Sequence, residues 1–229
     1  GGAILAFAGD VDVTHLRQRL GELLEGWSGD ITEPSEADPA PRGYGHESDD
    51  TAQTHVAVAY DAVPEPDDAS MLQRAAVAVL SGGMSGRLFT EIREKRGLCY
   101  GVYARYAGAR DRGAVKAYAG TTTPRAQETL DVLLAELRRL SDGVAEDEFD
   151  RAKVGMKSRL VMQSESTAAR ASALAADQYN LGRPRSLDEL AAQVDAVTLD
   201  DLNAFVASRR PEDFTVTTVG EQPLTLQRA

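Results

Sequence analysis

The chain has 229 residues, of which 42% are hydrophobic and 27% charged, as in an ordinary folded protein. This length is enough to bury a core, and we expect a single domain over residues 1–229. The formal net charge of −11 repels a phosphate backbone, so nucleic acid is a poor partner, whereas a basic or neutral peptide is attracted more readily. No stretch approaches the roughly 20 apolar residues of a membrane span.

The single cysteine, Cys99, excludes an internal disulfide and suits a reducing compartment, which predicts a cytoplasmic location. No histidine is near it in sequence, so we expect a buried strand residue rather than a nucleophile. The first ten residues have a short apolar run without a basic region, which is unlike a signal peptide. Their abrupt start indicates a piece of a longer protein.

The first 80 residues predict two strands and two helices around a polar segment. Residues 3–8 form a short apolar run that predicts a strand, and leucines at helical spacing predict a helix from Val13 to Leu24. Residues 28–50 are rich in Pro, Gly and acidic residues, which predicts a linker or an extended surface crossing within the domain. Alternation predicts the next strand over 54–60, and a helix follows over 67–80.

The stretch SGGMSGRLFTEIREKRGLCYGVYARY, residues 81–106, has the most informative pattern. Glycines open a helix in which Leu88, Phe89 and Ile92 share one apolar face. Cations, including Arg93, end the helix, where the macrodipole favours them. Arg87 on the first turn is expected to be solvated or ion-paired.

A turn and a strand follow this helix. Gly97 is placed to end the helix, because glycine adopts a positive φ without strain. Strand alternation puts Tyr100 on one face with Val102, Ala104 and Tyr106, and Cys99 on the other face with Tyr103 and Arg105. The pattern therefore predicts that Arg93 and Tyr100 lie close together across one tight turn.

The second half of the chain adds a hairpin strand over 113–120, a helix from Pro124 to about Leu140, a helical block over 143–208 and a closing strand over 214–219. This order of elements predicts an α+β fold in which helices cover one side of a sheet. The glycines of the central stretch are only a weak phosphate-loop signal, since no Gly-Lys-Ser/Thr follows them.

The run from Gly82 to Tyr100 resembles the pitrilysin, insulysin and mitochondrial processing peptidase family of zinc metallopeptidases, the inverzincins. It looks like their second, C-terminal-type domain, which carries an arginine followed seven residues later by a tyrosine. The resemblance covers nearly the whole chain and is strongest over 81–107. It implies a mixed, mainly antiparallel sheet of about five strands in one half of a clamshell, whose uncovered face lines a peptide chamber.

The resemblance implies that Arg93 and Tyr100 are catalytic and substrate-binding residues. Arginine offers a planar donor fork for peptide carbonyls, and a tyrosine hydroxyl can donate to an oxyanion as it forms. From spacing alone, Arg93 stabilising a helix end and Tyr100 packing on a sheet is the better explanation. The resemblance reverses that preference.

The family's zinc signature is His-x-x-Glu-His, and the three histidines of this chain, at positions 15, 46 and 55, do not make that spacing. We therefore expect no metal site in this chain and no peptidase activity from the chain alone. The resemblance implies zinc in a zinc-bearing N-terminal-type domain or subunit, with a peptide as substrate and a homodimer as a further option. Two alternatives stay open: a non-catalytic structural core subunit and a peptide-binding module without peptidase activity.

Overall fold

A computed structural model describes residues 2–31 and 42–226. Seven α-helices lie in these ranges: α1 (Val13–Leu23), α2 (Ser70–Ser81), α3 (Ala126–Arg139), α4 (Glu146–Ser164), α5 (Thr167–Leu181), α6 (Leu187–Ala196) and α7 (Leu199–Ala207). The strands described are β1 (Gly43–Ser48), β2 (Gln53–Ala62), β3 (Cys99–Gly108), β4 (Gly113–Thr122) and β5 (Thr215–Gly220). A π-helical segment spans Phe89–Glu94. Within the same ranges, no helix has both the length and the apolar character needed to cross a membrane.

The strands form one sheet in the order β1-β5-β2-β4-β3. The outer strand β1 pairs in parallel with β5, and the other three pairings are antiparallel. The predicted α+β fold with a mixed, mainly antiparallel sheet of five strands is therefore confirmed.

The two faces of the sheet differ in burial. One face packs its side chains against α2 and α3 in the main core, and the side chains on it are almost fully buried: Val56, Val58, Val115, Ala117 and Val216. The facing leucines of α3 are completely buried as well: Leu130, Leu133 and Leu137. Side chains of the opposite face are exposed or half-buried. The prediction that helices cover one side of the sheet is thus confirmed, and we call the other side the open face.

The strand predicted over residues 3–8 is absent, since this segment joins no sheet in the described parts of the chain. Its apolar side chains Ile4, Leu5 and Phe7 are exposed. An apolar run becomes a strand only where a neighbouring backbone completes its hydrogen bonds, and the sheet offers this segment none.

The fifth strand of the sheet is instead the outer strand β1, which lies inside the segment predicted as a linker. Its sequence GYGHES has almost no apolar residues, so the sequence predicts no strand there. It can still pair with β5, because strand pairing is made by backbone hydrogen bonds and does not require apolar side chains. Tyr44 of this strand packs against the core, and the half-buried His46 shares a hydrogen bond with the buried Thr218 hydroxyl. The linker prediction is therefore wrong for Gly43–Ser48, and residues 32–41 lie outside the described residues.

A buried arginine joins the central stretch to the helices that follow. Arg87 is 7% exposed, and its fork donates to both carboxylate oxygens of Glu148 at 2.6 Å. It also donates to the backbone carbonyls of Gly143, at 2.7 Å, and Arg139, at 3.4 Å. Of the two environments expected for Arg87, solvent or an ion pair, the structure shows the ion pair. It fixes the start of α4 against the helix turn that leads to Arg93.

We predict that Glu148→Gln lowers the free energy of unfolding at pH 7 by about 2–3 kcal/mol, because it leaves a buried guanidinium without its counter-charge. Hydrogen bonding from Arg87 holds the pKa of the Glu148 carboxyl below its usual range. The ion pair therefore stabilises the fold above the unfolded pKa of about 4.3. Its contribution is lost as the pH falls through the lower folded pKa, so the gap between wild type and variant should narrow below about pH 5.

Urea denaturation at pH 7, 5 and 4 measures that gap. Asp150→Asn is a matched control, because it removes one carboxylate from an exposed position of the same helix. This control should stay within about 0.5 kcal/mol of wild type. A gap that is equally large at all three pH values would contradict the assignment to the Glu148 charge.

Candidate functional site

The helix that carries Arg93 widens into a π-helical turn. The N–H of Lys95 donates to the carbonyl of Thr90 at 2.9 Å, five residues back instead of four. Leu88 and Ile92 are fully buried beneath it, which confirms the predicted apolar face for these two residues, whereas Phe89 is only half-buried. Such turns are rare and are found frequently at functional sites.

The turn after this helix is fixed at its backbone. Gly97 has φ +62°, as predicted for the residue that ends the helix. Its carbonyl accepts a hydrogen bond from the Arg125 guanidinium, and the carbonyl of Leu98 accepts one from the buried Thr121 hydroxyl at 2.5 Å. These two hydrogen bonds therefore fix the distance between the end of the helix that carries Arg93 and the start of β3.

A β-bulge at the start of β3 decides where Tyr100 lies. Cys99 is opposite Thr121 and Gly101 is opposite Gly120, so Tyr100 is an extra residue without a partner on β4. Its side chain is 83% exposed on the open face. The prediction that it shares a face with the inward residues Val102, Ala104 and Tyr106 is wrong, because one inserted residue reverses the alternation.

The Arg93 guanidinium lies against two aromatic rings. Its central carbon is 4.8 Å from the ring centroid of Phe89 and 4.9 Å from that of Tyr100. The predicted closeness of Arg93 and Tyr100 is thus confirmed. Neither the Arg93 donors nor the Tyr100 hydroxyl has a hydrogen-bond partner within 2–31 and 42–226. Both groups are available to a ligand on the open face.

Cys99 lies behind this pair and is buried, as predicted for a strand residue. Burial raises the pKa of its thiol, and the positive charge of Arg93 opposes that rise only in part. A protonated, buried thiol is a packing group rather than a nucleophile.

An aromatic cluster continues the open face beside Tyr100, and the sequence did not predict it. Tyr103 and Tyr118 are cross-strand partners with ring centroids 5.3 Å apart. His55 on β2 shares a 2.7 Å hydrogen bond between its Nδ1 and the Tyr118 hydroxyl. Burial, and to a lesser degree Tyr103, raises the pKa of Tyr118, so this hydroxyl stays neutral. For the bulge that turns Tyr100 onto the open face, the sequence did contain a signal: Gly101, since a glycine inside a strand pattern often marks a bulge.

The histidines do not form a zinc site. His46 Nδ1 bonds the Thr218 hydroxyl at 2.9 Å, His55 bonds Tyr118, and His15 lies on α1. Across 2–31 and 42–226, no group of three or more His, Cys, Asp or Glu side chains could hold a metal ion. These residues do not fit the ligand set that a catalytic zinc needs.

Comparison with known proteins agrees with this geometry. Residues 2–156 match the sequence profile of the peptidase M16 inactive domain. The uncharacterized zinc protease SCO5738 of Streptomyces coelicolor is 30% identical over 225 residues, which cover 91% of this chain and 48% of that protein. The uncharacterized zinc protease YmxG of Bacillus subtilis is 35% identical over 139 residues, which cover 59% of this chain and 34% of YmxG.

Solved structures share the fold. The crystal structure of a peptidase M16 inactive domain from Pseudomonas fluorescens superimposes with a TM-score of 0.78 at 22% identity, over 96% of this chain and 54% of that chain. A chain of complex III2 from Candida albicans has a TM-score of 0.75 at 18% identity, over 93% of this chain and 54% of that chain. These structures show the fold alone, and the profile match identifies the chain as a peptidase-related domain.

The chain belongs to the M16 peptidase family, as a domain of the inactive, C-terminal type. It spans about half of the length of the Streptomyces relative and about a third of YmxG.

Substituting two glycines by alanine, one at a time, tests the turn that sets the spacing between Arg93 and Tyr100. Gly97→Ala should lower the free energy of unfolding by about 1–2 kcal/mol, because a side chain is strained at its positive φ. Gly101→Ala, four residues after the turn glycine, is the matched control. A methyl group there meets nothing within 4 Å and should be neutral or slightly stabilising. Equal unfolding midpoints in urea for the two variants would contradict the assigned turn.

Proposed function

We propose that this chain, as one domain over residues 1–229, is the substrate-binding, non-zinc half of a zinc-dependent metalloendopeptidase. A zinc-bearing N-terminal-type domain or subunit of the same family would supply the metal site. One observation carries the proposal: Arg93 and Tyr100 are adjacent on the open face, and their polar groups have no partner in the described protein. Family membership and the names of the relatives support it.

Arg93 is suited to holding a peptide backbone. The rings of Phe89 and Tyr100 stack on the guanidinium and limit its rotation, but they leave its five N–H donors unsatisfied. A planar fork of donors matches the carbonyl oxygens of an extended peptide. A peptide held there has one of its carbonyls beside Tyr100.

Tyr100 is suited to stabilising a developing charge. Its hydroxyl is a single hydrogen-bond donor on a ring whose position is set by the bulge and by Arg93. A donor placed in advance at an oxyanion costs no rearrangement when the charge forms. Tyr100 therefore contributes to the transition state, whereas Arg93 contributes mainly to binding.

A structural subunit is the second candidate, because the fold is shared with a chain of complex III2. Fold likeness at 18% identity does not separate the two functions. The free donors of Arg93 and Tyr100 favour peptide binding, since a scaffold gains nothing from an exposed tyrosine beside an unpaired arginine.

The proposal is tested by peptide hydrolysis, with this chain alone and mixed with the zinc-bearing half from the same genome. We expect cleavage only in the mixture. Tyr100→Phe should reduce kcat by about 100-fold, the effect of removing one oxyanion donor. Arg93→Ala should mainly raise KM, because it removes a binding contact.

Tyr179→Phe is the matched control, since it removes one hydroxyl from an exposed tyrosine on α5. This variant should cleave at the wild-type rate. Unchanged cleavage in both Tyr100→Phe and Arg93→Ala would refute the proposal, and so would hydrolysis by this chain without the other half. Peptide binding without any hydrolysis by the mixture would favour the peptide-binding module.

A further inference from the structure

Two cations face each other across strands on the open face. Arg105 on β3 and Lys116 on β4 are direct partners in the antiparallel register, and both are exposed. Like charges directly opposite each other in a sheet repel. The pair is therefore unfavourable in the free chain, and an anion bound between the two side chains would relieve the repulsion.

No acidic side chain of the described protein relieves this repulsion. Neither Arg105 nor Lys116 has an ion pair within 2–31 and 42–226. Asp61 is on the same face, opposite Ala114 and diagonal to Lys116, but Arg42 binds both of its carboxylate oxygens at 2.7 and 2.8 Å. The two cations are thus the unsatisfied charges of this part of the open face.

The neighbouring residues form a floor on which a ligand can lie. The Arg105 guanidinium stacks on the ring of Tyr103, with its central carbon 4.8 Å from the ring centroid. On the other side of Lys116 the partner residue on β2 is Ala59, which leaves space above the sheet. The cations are therefore held at a flat, accessible surface that continues to Tyr100.

We propose that Arg105 and Lys116 form a subsite for a carboxylate of the bound peptide, which gives the enzyme a preference for acidic substrates. This inference rests on the proposed function. Arg105 is five residues after Tyr100 on the same strand, and five residues of extended chain span about 16 Å. In a peptide extended along β3, the residue that carries the carboxylate is therefore about five residues from the peptide residue held at Arg93 and Tyr100.

The carboxylate has two sources, an Asp or Glu side chain or the C-terminus of the peptide. Two sets of peptides separate them, both built on one neutral sequence with a single scissile bond. In the first set, one glutamate is moved residue by residue along a C-terminally amidated peptide. In the second set, no glutamate is present, and peptides of stepwise length end in a free carboxylate or an amide.

Cleavage by this chain together with the zinc-bearing half is measured as kcat/KM, and binding to the 229-residue chain alone is measured by fluorescence anisotropy. We expect about a fivefold preference for glutamate over glutamine at about five residues from the scissile bond, the size expected of two exposed ion pairs. The preference should decrease in 0.5 M salt. It should disappear in the double variant Arg105→Gln, Lys116→Gln, for which the kcat/KM values of the glutamate and glutamine peptides should become equal.

The double variant Arg17→Gln, Arg151→Gln removes the same two charges from exposed helix positions and should keep the preference. If the Arg105, Lys116 double variant does not fold, Lys116→Gln alone should still halve the preference. Equal cleavage of glutamate and glutamine peptides at every position would overturn the subsite, while cleavage itself would leave the proposed function intact. If the mixture cleaves nothing, binding to the chain alone becomes the test. Equal affinity for the glutamate and glutamine peptides would then be enough to overturn the subsite.

Discussion

The buried contact between Arg87 and Glu148 is the constraint on which the candidate site depends. A guanidinium that is 7% exposed is tolerated only when its donors are satisfied, here by a carboxylate and by the carbonyls of Gly143 and Arg139. These acceptors belong to the last residue of α3, to the α3–α4 connection and to α4. The helix turn that begins at Arg87 is therefore fixed against two other elements, and Arg93 lies less than two turns further along it.

The local parts of the site could be predicted from the sequence because neighbouring residues determine them. Leu88 and Ile92 fix the buried side of the helix, and Gly97 fixes the turn, so the closeness of Arg93 and Tyr100 follows within about ten residues of chain. The direction of Tyr100 could not be predicted in this way. It depends on which residues of β4 pair with Cys99 and Gly101, and that register is set by the whole hairpin.

The outer strand shows the same limit for the fold. Residues 3–8 have the apolar composition of a strand, and Gly43–Ser48 do not, yet only the second segment lies beside β5. Its contacts are polar: the Tyr44 hydroxyl bonds Thr218 at 2.7 Å and accepts from the N–H of Leu224 at 2.6 Å. Contacts between residues more than 170 positions apart leave no periodic signal in either segment.

Net charge and local charge point to different ligands. The net charge of −11 favours basic or neutral peptides at long range. At physiological salt, however, screening limits the distance over which an exposed charge acts to about 8 Å. Glu47 on the outer strand is three strand spacings from β4, about 14 Å, so it acts only weakly on Lys116. Beside Tyr103 and Tyr118, the cations Arg93, Arg105 and Lys116 have no ion pair within the described residues. A peptide that reaches this surface therefore meets unpaired positive charges, although the whole molecule is acidic.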